Sequence, residues 1–180
     1  AGLFVIMNEE LDPKTYPIGK AQNREFTKEV LYQSILMIES APLRLRQRIT
    51  TLNEEELELK YREGSWTVRQ IVHHVADSHM NMWIRFKHAL TQDNPTIQPY
   101  NQNVWADSAD YKSAPLESSL LIFEGVQMRF SNLLKTMSEA DFKRTYMHPE
   151  YNKQFVLGEV VQLYAWHGMH HVAQIEGIFK

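Results

Sequence analysis

The sequence predicts an all-α protein, a four-helix bundle with one long crossover connection. Three observations predict it. Four long segments repeat apolar residues at the helical period. Strand signals are scarce and no internal repeat is visible. A long proline-bounded stretch, Pro95 to Pro115, separates the second segment from the third, as a crossover between helices requires.

The elements follow in order. Residues 1–24 read as an irregular N-terminal arm, broken by Pro13 and Pro17, with a turn at Tyr16-Pro17-Ile18-Gly19. Ala1–Ile6 is apolar but too short for a signal peptide and lacks a charged leader, so Met7 is read as the natural start. A first helix begins near Thr27 and carries Val30, Leu31, Ile35, Ile38, Leu45 and Ile49. Pro42 falls inside it, which predicts a kink or break near Ser40. Asn53-Glu54-Glu55-Glu56 predicts a short turn, its charges a solvated face. Thr67 with Gln70 forms a capping-box pattern that opens the second helix. Val68, Ile71, Val72, Val75, Met82, Phe86 and Leu90 make its apolar stripe, and it ends before Asn94-Pro95. Leu116–Met137 is the third helix, followed by a brief turn near Ser138 and a loop or small hairpin over 144–155. The fourth helix runs from about Leu157 to Phe179.

That last helix carries the chemistry. His167 and His171 are four residues apart, one turn above each other on one helical face, a spacing that lets two imidazoles grip one metal ion. With Val160, Tyr164, Gln174 and Ile178 they share the stripe expected to face the core. His170 is rotated away. Gly168 stands where a zincin would carry its glutamate, so the pair is not an H-E-x-x-H motif. A third ligand is expected on the second helix, where His73, His74 and His79 compete. Helical angle places His79 nearest the stripe's centre, His74 on its flank and His73 largely outward. Periodicity alone leans to His79, without settling the choice.

The whole chain narrows the function classes. At 180 residues, 43% hydrophobic and 11% aromatic, it is expected to be a single globular domain spanning 1–180. Its net charge of −3 supplies no basic footprint for nucleic acid and no polybasic membrane signal. No stretch reaches the length of a membrane span, so cytoplasmic residence is the default. The absence of cysteine removes thiolate ligands, disulfides and cysteine nucleophiles together.

A resemblance adds to this reading. Trp66-Thr67-Val68-Arg69-Gln70-Ile71-Val72-His73-His74-Val75-Ala76-Asp77-Ser78-His79-Met80-Asn81, followed by Arg85-Phe86-Lys87, resembles the YfiT-like branch of the DinB superfamily. Tyr16-Pro17-Ile18-Gly19, Tyr146-Met147-His148-Pro149-Glu150 and Tyr164-Ala165-Trp166-His167-Gly168-Met169-His170-His171 are similar to the same branch, so the likeness covers most of the chain. It implies a DinB-like bundle with one divalent metal per chain, held by His74 together with His167 and His171. It also implies a metal-dependent hydrolase, or a transferase of low-molecular-weight thiols such as bacillithiol, and a homodimer. A non-catalytic metal- or ligand-binding bundle is the alternative.

An all-histidine set suits zinc or nickel, with manganese or iron as further candidates. Three protein ligands leave a position for a guest, the catalytic pattern. Water or a small thiol at that position would be activated against an electrophilic small molecule. Without cysteine the thiol must be a cosubstrate. Asp77 is placed to orient an imidazole or to sit in solvent. Arg85 reads first as a surface salt bridge and second as a cation for an anionic substrate. His148 reads as a loop residue within reach of an acid–base role. Trp66, Tyr164 and Trp166 read as packing residues.

Overall fold

The structure, a computed structural model, describes residues 11–180. The expectations for Ala1–Ile6 and Met7 lie outside the described residues. Four long helices form the bundle: α1 Lys28–Ile49, α3 Val68–Thr91, α6 Leu116–Leu134 and α8 Leu157–Ile178. Short helical turns lie between them: α2 Glu54–Leu57, α4 Gln102–Ala106, α5 Ala109–Ser113 and α7 Glu139–Phe142. One hairpin, β1 Thr145–His148 and β2 Lys153–Val156, pairs antiparallel with Tyr146 opposite Phe155.

Local chemistry sets the boundaries. The Thr27 hydroxyl accepts from the Val30 amide and opens α1, where the first-turn amides have no helical partner. Thr67 and Gln70 close a reciprocal capping box at the start of α3, and Asn53 with Glu56 closes another at α2. Beyond Thr91, Gln92 turns extended, and Asn94 takes a positive φ of 40° before Pro95.

Side-chain pairs fix the helix directions. Arg46 meets Glu117 while Gln127 meets the Ile38 carbonyl, so α1 and α6 are antiparallel. His73 meets Ser119 and His79 meets Gln127, so α3 and α6 run parallel. Residues 92–115 therefore have to carry the chain back along the bundle, which is why the crossover is long. Helices α1 and α8 are also parallel, pairing Arg44 with Glu176.

The described part of the arm is irregular, as expected, with the turn at 16–19 closed by the Gly19 amide on the Tyr16 carbonyl. It lies along α8, stitched at intervals. The Gln174 amide donates to the Thr15 carbonyl at 2.8 Å and the Trp166 indole to the Gly19 carbonyl at 3.0 Å. Gln162 clasps Arg24 by accepting from its amide and donating to its carbonyl, each at 3.0 Å.

Of the kink or break expected near Ser40, the break is absent, and α1 runs continuously through Pro42. Proline removes the N–H that would bond the Ile38 carbonyl one turn back. That carbonyl accepts instead from the Gln127 amide at 3.2 Å. Gln127 is 1% exposed, so this contact lies in the bundle's interior. It belongs to a polar layer that divides the apolar core. On one side pack Ile35, Ile38, Met82, Phe86, Phe130 and Val161. On the other pack Ala41, Leu45, Ile71, Val75, Phe123 and Val172.

Candidate metal centre

The polar layer leads to the histidines. His167 and His171 project from α8, and His74 from the first turns of α3, which runs antiparallel beside it. Gly168 explains its own identity. A Cβ there would lie 3.3 Å from both the Ala41 Cβ and the Phe123 ring, so α8 packs too closely for the glutamate of a zincin.

Each ligand atom of His74, His167 and His171 lies within 4.8 Å of the others. The Nε2 atoms of His74 and His171 stand 3.4 Å and 3.2 Å from Nε2 of His167. Adjacent nitrogens on a tetrahedral zinc, with Zn–N near 2.0–2.1 Å, would be about 3.3 Å apart.

The hydrogen-bond network assigns the protons. Gln127 donates its amide N–H to Ile38, so its Oε1 faces His79 and accepts from Nδ1–H at 2.8 Å. Burial holds the His79 pKa down to about 4, so at neutral pH its Nε2 carries only a lone pair. That lone pair accepts from Nδ1–H of His167 at 3.2 Å. His171 donates Nδ1–H to the Gln174 oxygen at 2.8 Å. The Nε2 atoms of both α8 histidines are thus bare, and they face one another. Burial first, and neighbouring imidazoles second, hold the pKa of His74 and of His167 well below the ordinary value. Burial first, then the nearby imidazole charges, does the same for His171. Facing lone pairs without a shared proton repel. A cation between them removes the conflict, so the donor set fits a divalent metal.

His74 differs. Its ring packs on Trp66 at 4.6 Å, and its Nδ1 is buried without a hydrogen-bond partner among the described residues. Asp77 is not its partner: the carboxylate accepts from the Tyr111 hydroxyl at 2.7 Å, because the crossover brings α5 against α3 there. His79, favoured by helical angle, stands behind His167. His73 turns to Ser119, and His170 stacks between Trp166 and Tyr16. His148 packs on Tyr151 and Phe155, with no contact to the three histidines. Arg85 forms no ion pair among the described residues, so the surface salt bridge expected of it is not made. It donates to the Gln98 carbonyl at 2.9 Å. Trp66 and Tyr164 pack against the site rings, and Trp166 holds the arm. Sequence reasoning missed Gln127 and its link to His79. Gln174 was on the predicted stripe, and only its role was unread.

The architecture is thus that of a helical bundle presenting three imidazoles at one point between two antiparallel helices. A family model for the DinB superfamily matches residues 37–175, and the chain belongs to that superfamily. A relative from Oceanobacillus iheyensis, named "putative metal-dependent hydrolase", is 43% identical over 175 residues, covering 97% of this chain and 98% of its own. The solved structure of YfiT from Bacillus subtilis, described as a probable metal-dependent hydrolase with an unusual four-helix bundle topology, superposes with a TM-score of 0.88 at 38% identity. It covers 92% of this chain and 95% of that one. A mycothiol-dependent maleylpyruvate isomerase shares the fold, with a TM-score of 0.63 at 14% identity over 81% of this chain and 60% of that one.

Proposed function

We propose that this chain is a metal-dependent hydrolase whose His74, His167 and His171 hold one divalent cation, zinc or nickel. The observation that carries the reading is the convergence of three Nε2 atoms, two of them stripped of protons by partners on the far side of their rings. When bound, such a cation supplies a Lewis acid with a position left for water or a small thiol cosubstrate, activated against an electrophilic small molecule.

The protein's own groups do the rest. Gln127 and His79 orient His167, and Gln174 orients His171. Trp66 walls His74, and Tyr164 walls His167 at 5.5 Å between ring centres. The names carried by its relatives support a hydrolase. No helix of the described residues is long and apolar enough to cross a membrane. We place the protein in the cytoplasm, as a homodimer acting on small molecules.

The test is metal analysis of the wild-type protein and of His171→Ala, followed by a screen of electrophiles with and without added thiols. Turnover that needs metal but no thiol supports hydrolysis. Strict thiol dependence turns the reading to transfer. Turnover unchanged by metal removal contradicts the metal mechanism. A bound metal with no turnover across the screen favours a non-catalytic metal-binding bundle.

A further inference from the structure

One face of α3 is polar although it is not turned to solvent. His74, Asp77, Ser78, Asn81 and Arg85 fall within about 60° of one another's mean direction at 100° per residue. His74 and Ser78 are buried, and Asp77, Asn81 and Arg85 are half-buried. The crossover lies against this face. It contributes the Gln98 carbonyl to Arg85, the Tyr111 hydroxyl to Asp77 and the Ala106 carbonyl to Gln70.

At the far end of the stripe stands a guanidinium whose donors are mostly unspent. Arg85 gives one N–H to the Gln98 carbonyl, and its Nε is buried with no partner. It forms no ion pair among the described residues. Its carbon sits 5.9 Å from the centre of the Tyr100 ring. Its charge is also felt by Tyr146 and His148 of β1 and by Tyr164 of α8. The phenols of Tyr100, Tyr146 and Tyr164 keep their O–H at neutral pH, as tyrosine ordinarily does. His148 adds a second buried, unpartnered nitrogen, its ring Nδ1. A half-buried guanidinium whose buried Nε has no partner favours an anion that completes its donors.

The stripe links this cluster to the three histidines. Tyr164 stands one turn before His167 on α8 and packs on its ring, and Ser78 sits against the hydroxyls of Tyr100 and Tyr164. Arg85 lies eleven residues after His74, a rise of about 16 Å along the axis. Both side chains lean toward the helix's N-terminus, so only the longer reach of arginine shortens the gap from guanidinium to metal site, to roughly 14 Å.

We propose that Arg85, with Tyr100, Tyr146 and Tyr164, binds a carboxylate at one end of the substrate while its reacting group lies at the three histidines. The substrate class is therefore a small electrophile carrying a carboxylate several bonds from the centre attacked. An arginine fork suits this task because it meets both carboxylate oxygens at once. The position of the reacting end rests on the metal reading above, and the carboxylate subsite does not.

Calorimetric titration with pimelate and heptanoate, chains of equal length with two carboxylates and one, separates the two ideas. In zinc-loaded wild-type protein, pimelate is expected to bind at least tenfold more tightly than heptanoate. Arg85→Gln removes that difference while zinc content and the circular-dichroism spectrum stay at their wild-type values, which shows the site is still folded. Arg85→Lys, which keeps the charge and loses the fork, falls between. In the metal-free protein, weaker pimelate binding remains and is still abolished by Arg85→Gln. Equal affinities for the two ligands in the zinc-loaded protein, or pimelate binding indifferent to Arg85→Gln in either form, overturn the inference. Failure to take up zinc, with Arg85-dependent pimelate binding intact, counts against the metal reading alone.

Discussion

The two histidines of α8 and the single histidine of α3 reach one point by different means. His167 and His171 are each held from behind by a hydrogen bond. One bond runs through His79 and Gln127 to a carbonyl of α1, the other through Gln174 to the arm. His74 is placed by packing against Trp66, and its Nδ1 has no partner among the described residues. The difference shows two ways of aiming a ring. A hydrogen bond sets both the ring's angle and the nitrogen that keeps its lone pair, whereas packing sets only the angle. The α8 side is therefore expected to be the preorganised half of the site, with His74 completing it.

The largest break of that comparison removes a ligand from the held side. His167→Ala or His171→Ala should lower metal affinity by more than ~100-fold, beyond the 10–100-fold usual for lost outer partners. Metal content after dialysis, expected to fall from one per chain toward zero, checks this. Removing a holder comes next. Gln127→Leu leaves the Ile38 carbonyl and the His79 N–H unsatisfied, at a cost on the order of 3 kcal/mol of stability. It should also weaken metal binding by about 10-fold or more. Adding Pro42→Ala restores an N–H to Ile38 and should recover about 1 kcal/mol in a double-mutant cycle measured by urea denaturation.

Acid tests the same buried layer through its protonation. His79 titrates near 4 in the native state, below its ordinary value of 6.5. Between those values the unfolded chain binds a proton that the folded chain refuses. Stability is therefore complete above pH ~6.5 and falls as pH drops toward 4. His79 alone should cost about 2 kcal/mol between pH 6.5 and 5, visible as lowered urea midpoints of the metal-free protein. The smallest expected effect is on the packed side. Asp77→Asn should change metal affinity by no more than about 2-fold, because its carboxylate serves Tyr111 and not His74. A larger loss in a metal titration would show that His74 is held as the others are.

These contrasts also show what a sequence displays. The helices were legible because burial repeats at the helical period, and Thr67 with Gln70 marked the start of α3 correctly. The α8 pair was legible because both histidines lie on one face of one helix. That α1 continues past Pro42 without a break was not legible, since the group that takes up the Ile38 carbonyl comes from α6, far along the chain. Helical angle put His79 at the centre of the buried face of α3, where it lies, but could not name its partner. It reports which side of α3 a residue occupies, not which neighbour waits there, and His79 meets the back of His167. The arm read as irregular and is so, but its bonds to α8 were not legible, because they leave no period in its own residues.

The central claim is that three Nε2 atoms face one cation while the α8 rings keep their protons on Nδ1. Long-range proton–nitrogen NMR of the zinc-loaded protein, labelled with nitrogen-15 at histidine, reads both features ring by ring. The account predicts metal-shifted Nε2 signals for His74, His167 and His171, with protonated Nδ1 on His167 and His171. A proton on Nε2 of any of the three in the metal-loaded protein, or a metal-shifted Nδ1 on either α8 ring, would contradict it.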